Sequence, residues 1–566
     1  MGGHQVKDKN TARTGIFILI FAVTFLIFGG AFALYYFKGV HKVTSYDIRS
    51  AEKIAALRFT GKERNMMLRN LRRNIRSYEQ MREIILENHV PPSIQFNPVL
   101  SGSTISNKPA PFSFAPDPGV QIPESDEDLA FYPVSSLAQL IRSRKITSVE
   151  LTQLYLDRLK KFGPQLECVI TLTEELALEQ AKKADEEIRE GRYRGPLHGI
   201  PWGAKDLLAT RGIRTTWGAM PYKDQIPDRD ATVVKRLEEA GAVLIAKLSM
   251  GALAMGDVWY GGRTKNPWNL EQGSSGSSAG SAAATSAGLV AFAIGTETLG
   301  SIVSPCTRCG VTGLRPSFGR VSRYGAMALS WSMDKIGPIG RTVEDCALVF
   351  HAIYGPDGKD LTVIDVPFGW DAASDIQQIR VGYLKNAFDE ESETYENDMA
   401  ALEVIHSLGI HLIPVELPDF PARALSFILS AEAAAAFDEM TRDGNDDLLV
   451  RQGQGAWPNT FRQARFIPAV EYIQANRLRT LLMQRMAEQM KGIDVFVTPS
   501  YGDNVLLITN LTGHPAVVVP NGFDEKGSLT SLSFIGGLFE EEKALRVAKA
   551  YQDATGFHLQ HPSLKK

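Results

Sequence analysis

GSSGSSAGSAAATSAG, residues 273–288, runs without a break into LVAFAIGTETLGSIVSP at 289–305, and the reading of the chain turns on this stretch. The first sixteen residues are all Gly, Ser, Ala or Thr. Small side chains let one backbone approach another, or a substrate, closely, and serine hydroxyls can attack a carbonyl or relay a proton. Flexible linkers share this composition. A solvated linker does not pass directly into an apolar segment, however, so the run reads as the scaffold of a serine-based site.

Outward from it, helical patterns alternate with short apolar runs. Residues 174–190 and 233–240 read as helices, while VLIAK at 243–247, DVFVT at 494–498 and AVVVP at 516–520 read as buried strands. That alternation predicts an α/β fold whose central sheet is covered by helices on both faces, with chemistry on loops at the strand ends.

With 566 residues, 44% of them hydrophobic and 22% charged, the chain can bury a large core. A net charge of -3 gives no electrostatic reason to bind nucleic acid. The four cysteines, Cys168, Cys306, Cys309 and Cys346, are too few for a disulfide framework. Cys306-x-x-Cys309 has no second CxxC to complete a metal site.

The N-terminal part is organised differently. After a tail at 1–14, residues 15–37, GIFILIFAVTFLIFGGAFALYYF, carry no charge, and as a helix they would span about 35 Å. This predicts a single transmembrane helix, because the run is longer than a signal-peptide core and no A-x-A-like site follows. Three basic residues precede it and Lys38, Lys42, Arg49 and Lys53 follow, so charge does not orient it. Residues 38–90 read as an amphipathic helical segment, with Met67, Leu71, Ile75, Tyr78 and Ile85 at helical spacing among five arginines. The proline-rich stretch 91–128 reads as a linker. The globular domain is expected over 129–566, with Ser135 and Ser136 capping one helix and Thr147-x-x-Glu150 boxing the start of another.

Two chemical readings compete for the glycine-serine run. Gly276-Ser277-Ser278-Ala279-Gly280 fits the G-x-S-x-G elbow of α/β-hydrolases, which would make Ser278 the nucleophile of an esterase with a histidine downstream. The segment ahead of it, TKNPWNLEQ, lacks the β-branched strand that introduces such an elbow. The other reading begins at Lys205 in GIPWGAKDLLATRG, 199–212. Taken alone, Lys205 beside Asp206 is a surface ion pair. A lysine kept from water loses affinity for its proton and can serve as a base.

Lys205, SGSSAGS at 275–281, GTETLGSI at 295–302, CGVTGLRPSFGRVSR at 309–323 and NLTGHPAVVVPNGF at 510–523 together resemble the amidase signature family of serine hydrolases. The resemblance extends over roughly 130–566. It implies a central twisted mixed β-sheet flanked by helices, and a small-molecule amide as substrate. No cofactor and no metal is implied. Carried over by residue, Ser301 is the nucleophile, Ser277 a bridging serine after a cis peptide from Gly276, and Lys205 the base. Main-chain N–H groups of Thr298, Leu299, Gly300 and Ser301 form the oxyanion hole. Ala279 and Ser275 replace customary glycines, and Leu299 stands where glycine is common, so its backbone must avoid positive φ. Glu297 replaces an aspartate, Val303 an arginine, and Ser249 and Ala252 other polar residues.

The sequence thus predicts a membrane-anchored, single-pass amidase, with the side of the catalytic domain and self-association into a homo-oligomer left open. An interaction protein on an inactive amidase scaffold is the alternative from a different class. The glutaminase subunit of a tRNA-dependent amidotransferase shares the signature, but an anchor does not suit it.

Overall fold

The computed structural model describes residues 43–564 apart from 104, 106–110, 115–116, 389–391 and 503. It divides into two compact units, one ending at Leu86 and one beginning at Glu87. The tail 1–14 and the apolar segment 15–37 lie outside the described residues. Among those described, no helix is long and apolar enough to cross a membrane.

In the first unit the expected amphipathic helical segment is two helices, Ser45–Ala55 and Gly61–Arg82. The break falls where Thr60 accepts from the Glu63 amide while the Glu63 carboxylate accepts from the Thr60 amide, a capping box that starts a new helix. Arg64 clamps the two helices together through Glu52, at 2.7 and 2.9 Å.

The second unit is built on an 11-stranded mixed sheet. In chain order its strands are β1 (Val169–Leu172), β2 (Pro201–Lys205), β3 (Val243–Leu248), β4 (Phe292–Glu297), β5 (Thr312–Arg315), β6 (Lys335–Gly340), β7 (Val381–Leu384), β8 (Leu412–Val415), β9 (Val495–Pro499), β10 (Ala516–Phe523) and β11 (Leu529–Gly536). They lie in the order β8-β7-β9-β11-β10-β5-β6-β4-β2-β3-β1. The pairs β8/β7, β7/β9, β4/β2 and β2/β3 are parallel and the others antiparallel. Strands β2, β3, β4 and β6 are buried at every residue, as expected of strands covered on both faces. The strands expected at 243–247, 494–498 and 516–520 are β3, β9 and β10. The helix expected at 174–190 is Glu174–Arg189, and that at 233–240 is Thr232–Glu239.

Two local expectations resolve differently. Thr147 and Glu150 form the capping box that opens helix Ser148–Leu166, as their spacing predicts. Ser135 and Ser136 cap nothing, because helix Val134–Arg142 begins behind Pro133 and its free Val134 amide donates 2.8 Å to the buried carboxylate of Asp345. Residues 91–128, read as a linker, lie partly against the body. Phe112–Ser113 pairs in parallel with Trp370–Asp371. Phe96 meets Phe318 edge-on at 5.0 Å, with the Arg479 guanidinium 3.5 Å from its centroid. The packed unit therefore begins near 87 rather than 129, since these aromatic rings bury area that a free linker would expose.

Candidate active site

β2 and β4 run parallel with Ala204 opposite Ile294, so both strands end at the same edge of the sheet. Lys205 is the last residue of β2 and is fully buried. Its Nζ donates to Ser277 Oγ at 2.8 Å, Ser278 Oγ at 3.0 Å, Thr296 Oγ1 at 2.8 Å and the Thr296 carbonyl at 3.3 Å. Burial pushes its pKa down to about 7, against the opposing pull of the Asp334 and Glu297 carboxylates. An amine in that range is substantially neutral at physiological pH and can take a proton.

The neighbouring Asp206 is not its partner. That carboxylate turns away, to the Thr216 amide at 2.7 Å and hydroxyl at 2.5 Å, and lies 3.7 Å from Lys247 on β3. The surface ion pair that the adjacent pair Lys205-Asp206 suggested is thus absent, because both side chains are buried and each finds other groups.

The serine run approaches Lys205 through close backbone contacts. The Gly276–Ser277 peptide is cis, as the resemblance implied. A Cβ on Gly276 would lie 1.9 Å from the Gly256 carbonyl oxygen, and one on Gly280 would lie 2.5 Å from the Cys168 oxygen and the Ser249 nitrogen. Helix Ala279–Ser286 is buried at all eight residues. Ser275 sits at φ 61°, in the left-handed region, so the side chain that replaces a customary glycine is held at a cost of about 1 kcal/mol.

Ser301 reaches the same place from the end of β4. The Ser278 amide donates to the Ser301 carbonyl at 3.2 Å, which ties the nucleophile expected from the sequence to the serine run. Ser301 is 8% exposed and Ser277 1%, so both are shielded and Ser301 is the more open. Gly300 carries the positive φ of the loop, 80°, and Leu299 keeps a negative one, which is why a residue with a Cβ is tolerated there. Among the described residues, the amides of Leu299, Gly300 and Ser301 have no hydrogen-bond acceptor. Successive free donors leading into a serine suit a developing oxyanion.

The following turn is pinned by Glu297. Its carboxylate accepts from the amides of Ile302 and Val303 at 2.8 and 3.0 Å, from Arg315 at 2.7 Å and from Asn510 at 2.8 Å. Burial would raise its pKa, but Arg315 and these hydrogen bonds outweigh it and hold the carboxyl at about 2. Thr298 Oγ1 donates to Asp334 at 2.6 Å, and Asp334 also accepts from the amides of Leu329 and Ser330.

Ser278 is unsuited to attack. It is fully buried, its hydroxyl lies 3.1 Å from both the carbonyl and the amide of Thr296, and among the described residues no histidine bonds to it. His514, one of the downstream histidines, is held to Thr512 at 2.7 Å, and its pKa falls to about 3 through burial and the Arg315 charge. Cys306 and Cys309 are buried and free on helix Val303–Cys309. Thr296, Asp334, Arg315 and Asn510 had no role assigned from the sequence. Thr296, Arg315 and Asn510 sit inside the motifs that carry the family resemblance and were within reach, whereas Asp334 has no such signal.

A family model described as Amidase matches residues 150–545. A glutamyl-tRNA(Gln) amidotransferase subunit from Marinomonas sp. (strain MWYL1) is 35% identical over 481 residues, covering 76% of this chain and 99% of its own length. The protein of the same name from Coxiella burnetii (strain Dugway 5J108-111) is 35% identical over 480 residues, with coverage of 76% and 99%. Among solved structures, the native peptide amidase from Stenotrophomonas maltophilia is 29% identical with a TM-score of 0.67, covering 75% of this chain and 97% of its own. An amidase family protein from Bacillus anthracis str. Ames is 27% identical with a TM-score of 0.69, covering 78% and 93%.

Two stability outcomes follow from the site. A lysine whose pKa is depressed by folding carries a penalty that is complete below about pH 7 and fades as pH climbs toward its unfolded value. Lys205→Met should therefore stabilise the protein by about 1–3 kcal/mol at pH 6, and by less near pH 10, in urea unfolding. Arg315→Met should cost about 3–5 kcal/mol by leaving the Glu297 carboxylate buried without its cation. The double variant Glu297→Leu/Arg315→Met should recover part of that loss, yet leave the amides of Ile302 and Val303 without their acceptor.

Proposed function

The chain belongs to the amidase family, and from that footing we propose that it is a membrane-anchored serine amidase whose nucleophile is Ser301, bridging residue Ser277 and base Lys205. The observation that carries this reading is the buried Lys205 amine, 2.8 Å from Ser277 Oγ and with a pKa of about 7, beside a serine that follows a loop of free amides.

Neutral Lys205 takes the Ser277 proton as Ser277 takes that of Ser301, and Ser301 Oγ adds to the amide carbonyl. Amides of Thr298, Leu299, Gly300 and Ser301 receive the negative charge that forms on the carbonyl oxygen. The relay in reverse protonates the leaving nitrogen, the C–N bond breaks, and an acyl-Ser301 ester remains. Water, deprotonated by the same relay, then releases the acid and restores the hydroxyl.

A second reading is favoured by the relatives, which are named as subunits of glutamyl-tRNA(Gln) amidotransferases. In it, glutamine is the amide and the chain works with other subunits. Glutamine-dependent ammonia release that appears only with co-purified partners would establish this reading over a free-standing amidase.

The anchor rests on the uncharged run 15–37. In a native membrane preparation the full chain should stay with the bilayer through alkaline carbonate washing, and a chain starting after residue 42 should not; release of both would remove the anchor.

Ser301→Ala should abolish labelling by a fluorophosphonate probe and lower kcat by about 10⁴-fold or more. Loss of labelling only in Ser278→Ala would instead return the elbow reading, and no labelling of the native chain would favour the inactive scaffold. The kcat/KM of the native enzyme should rise with pH through an inflection near 7. Lys205→Ala should lose about 10²–10⁴-fold and that inflection with it. A surviving inflection in the variant would exclude Lys205 as the base.

A further inference from the structure

A cavity of about 290 Å³ adjoins the serine site. Thr296 and Thr298 form one side of it, and these are the residues that bond Lys205 and begin the loop to Ser301. Met327, Leu329 and Ile336, together with Ala254, give it an apolar wall. Part of the remaining wall comes from outside the region matched by the amidase family model: His89, Val90 and Pro91 line it.

Those residues are held in place by polar contacts of their own. Asn88 accepts from the Ala328 amide at 2.8 Å and donates to the Ala328 carbonyl at 2.9 Å, so its side chain bonds that loop as a strand would. It also donates to the Ala436 carbonyl, at 3.3 Å, at the end of helix Phe427–Ala436. Arg229 ties down both neighbours, lying 3.2 Å from the Glu87 carboxylate and 2.9 Å from His89 Nε2.

Charges along the lining are engaged, Lys359 over the face of Tyr324 at 4.2 Å. Arg323 is paired with Asp360 at 2.9 Å, Asp334 accepts from Thr298, and Lys335 donates to the Met333 carbonyl. One buried donor is left over: among the described residues, Trp331 Nε1 has no acceptor. A buried N–H without a partner costs about 1–3 kcal/mol, and a ligand oxygen at that point removes the cost.

We propose that residues 88–91 complete the pocket for the acyl part of the amide substrate, and that this pocket selects compact, uncharged, apolar acyl groups carrying one hydrogen-bond acceptor for Trp331. The proposal rests on Ser301 as nucleophile. The cavity's volume lies at the small end of ligand pockets, which suits a group of aryl or medium alkyl size.

The test uses the full chain with anilides of straight-chain acids from acetyl to hexadecanoyl, together with a 4-oxo-acyl anilide and its deoxo counterpart. Native kcat/KM should climb about threefold per methylene until the pocket is full, and then fall. Asn88→Ala should move the optimum to longer chains, and Val90→Trp should move it to shorter ones. Trp331→Phe should raise KM about tenfold for the 4-oxo substrate and not for the deoxo one. An optimum that stays put in both Asn88→Ala and Val90→Trp, with each variant folded by thermal unfolding and labelled at Ser301 by fluorophosphonate, would overturn the proposal while leaving the serine mechanism standing. Absence of labelling in the native chain would instead overturn the mechanism on which it rests.

Discussion

The structure around the site depends on the burial of one amine. Lys205 Nζ has no exposed surface, and an unsolvated lysine is costly unless oxygens replace its water. Four oxygen contacts do so, from Ser277, Ser278 and Thr296. They join three stretches far apart in sequence: the end of β2, the serine run and the end of β4. The compensation is incomplete, because oxygens of hydroxyls and a carbonyl carry no net charge, and the pKa of about 7 records the remainder. A carboxylate in contact would have stabilised the ammonium and left no base. Asp206, the adjacent carboxylate, is held off by Thr216 and turned toward Lys247.

A buried anion organises the other half. Glu297 is as deeply buried as Lys205, but it is given a full counter-charge in Arg315 and two backbone amides. A buried ion pair is weak evidence for stability, since desolvation offsets most of its attraction. Its contribution here is geometric. By holding the amides of Ile302 and Val303, Glu297 fixes the turn after Ser301, and with Gly300 at φ 80° it leaves the preceding amides pointing at no acceptor among the described residues. The loop's shape is therefore set by Glu297 from behind and by one glycine, which is why Leu299 fits at a position where glycine is customary.

Much of this was legible in the sequence. The α/β alternation and the strands at β3, β9 and β10 follow from apolar runs whose burial on both faces needs no partner to be known. Lys205, Ser277 and Ser301 were legible as a set only through the wording around them; composition alone favoured Ser278 equally. What stayed hidden depends on tertiary partners. Asp345 supplies the cap that Ser135 and Ser136 were expected to give, from 211 positions away. Asp334 lies in a stretch without periodicity, and its role comes from Thr298 across the sheet edge. The proline-rich segment reads as a linker because prolines carry no packing signal, whereas Phe96 and Phe112 are placed by residues hundreds of positions downstream.

The small-residue run itself is better explained by packing than by its hydroxyls. Gly276 and Gly280 stand where any Cβ would strike the backbone of Gly256 or of Cys168 and Ser249, so their absence of side chain is a steric requirement. Ser275 holds a left-handed φ that glycine would hold without strain. Such a residue persists only where its surroundings over-determine the backbone, and here the neighbours on both sides do so. Of the serines brought in this way, Ser278 spends its hydroxyl on the Thr296 main chain and on Lys205, which locks the end of β4 to the run. The same residue's amide bonds the Ser301 carbonyl, while its neighbour Ser277 bonds the Lys205 amine. The motif that resembles a nucleophile elbow is thus a structural splice between β4 and the serine run.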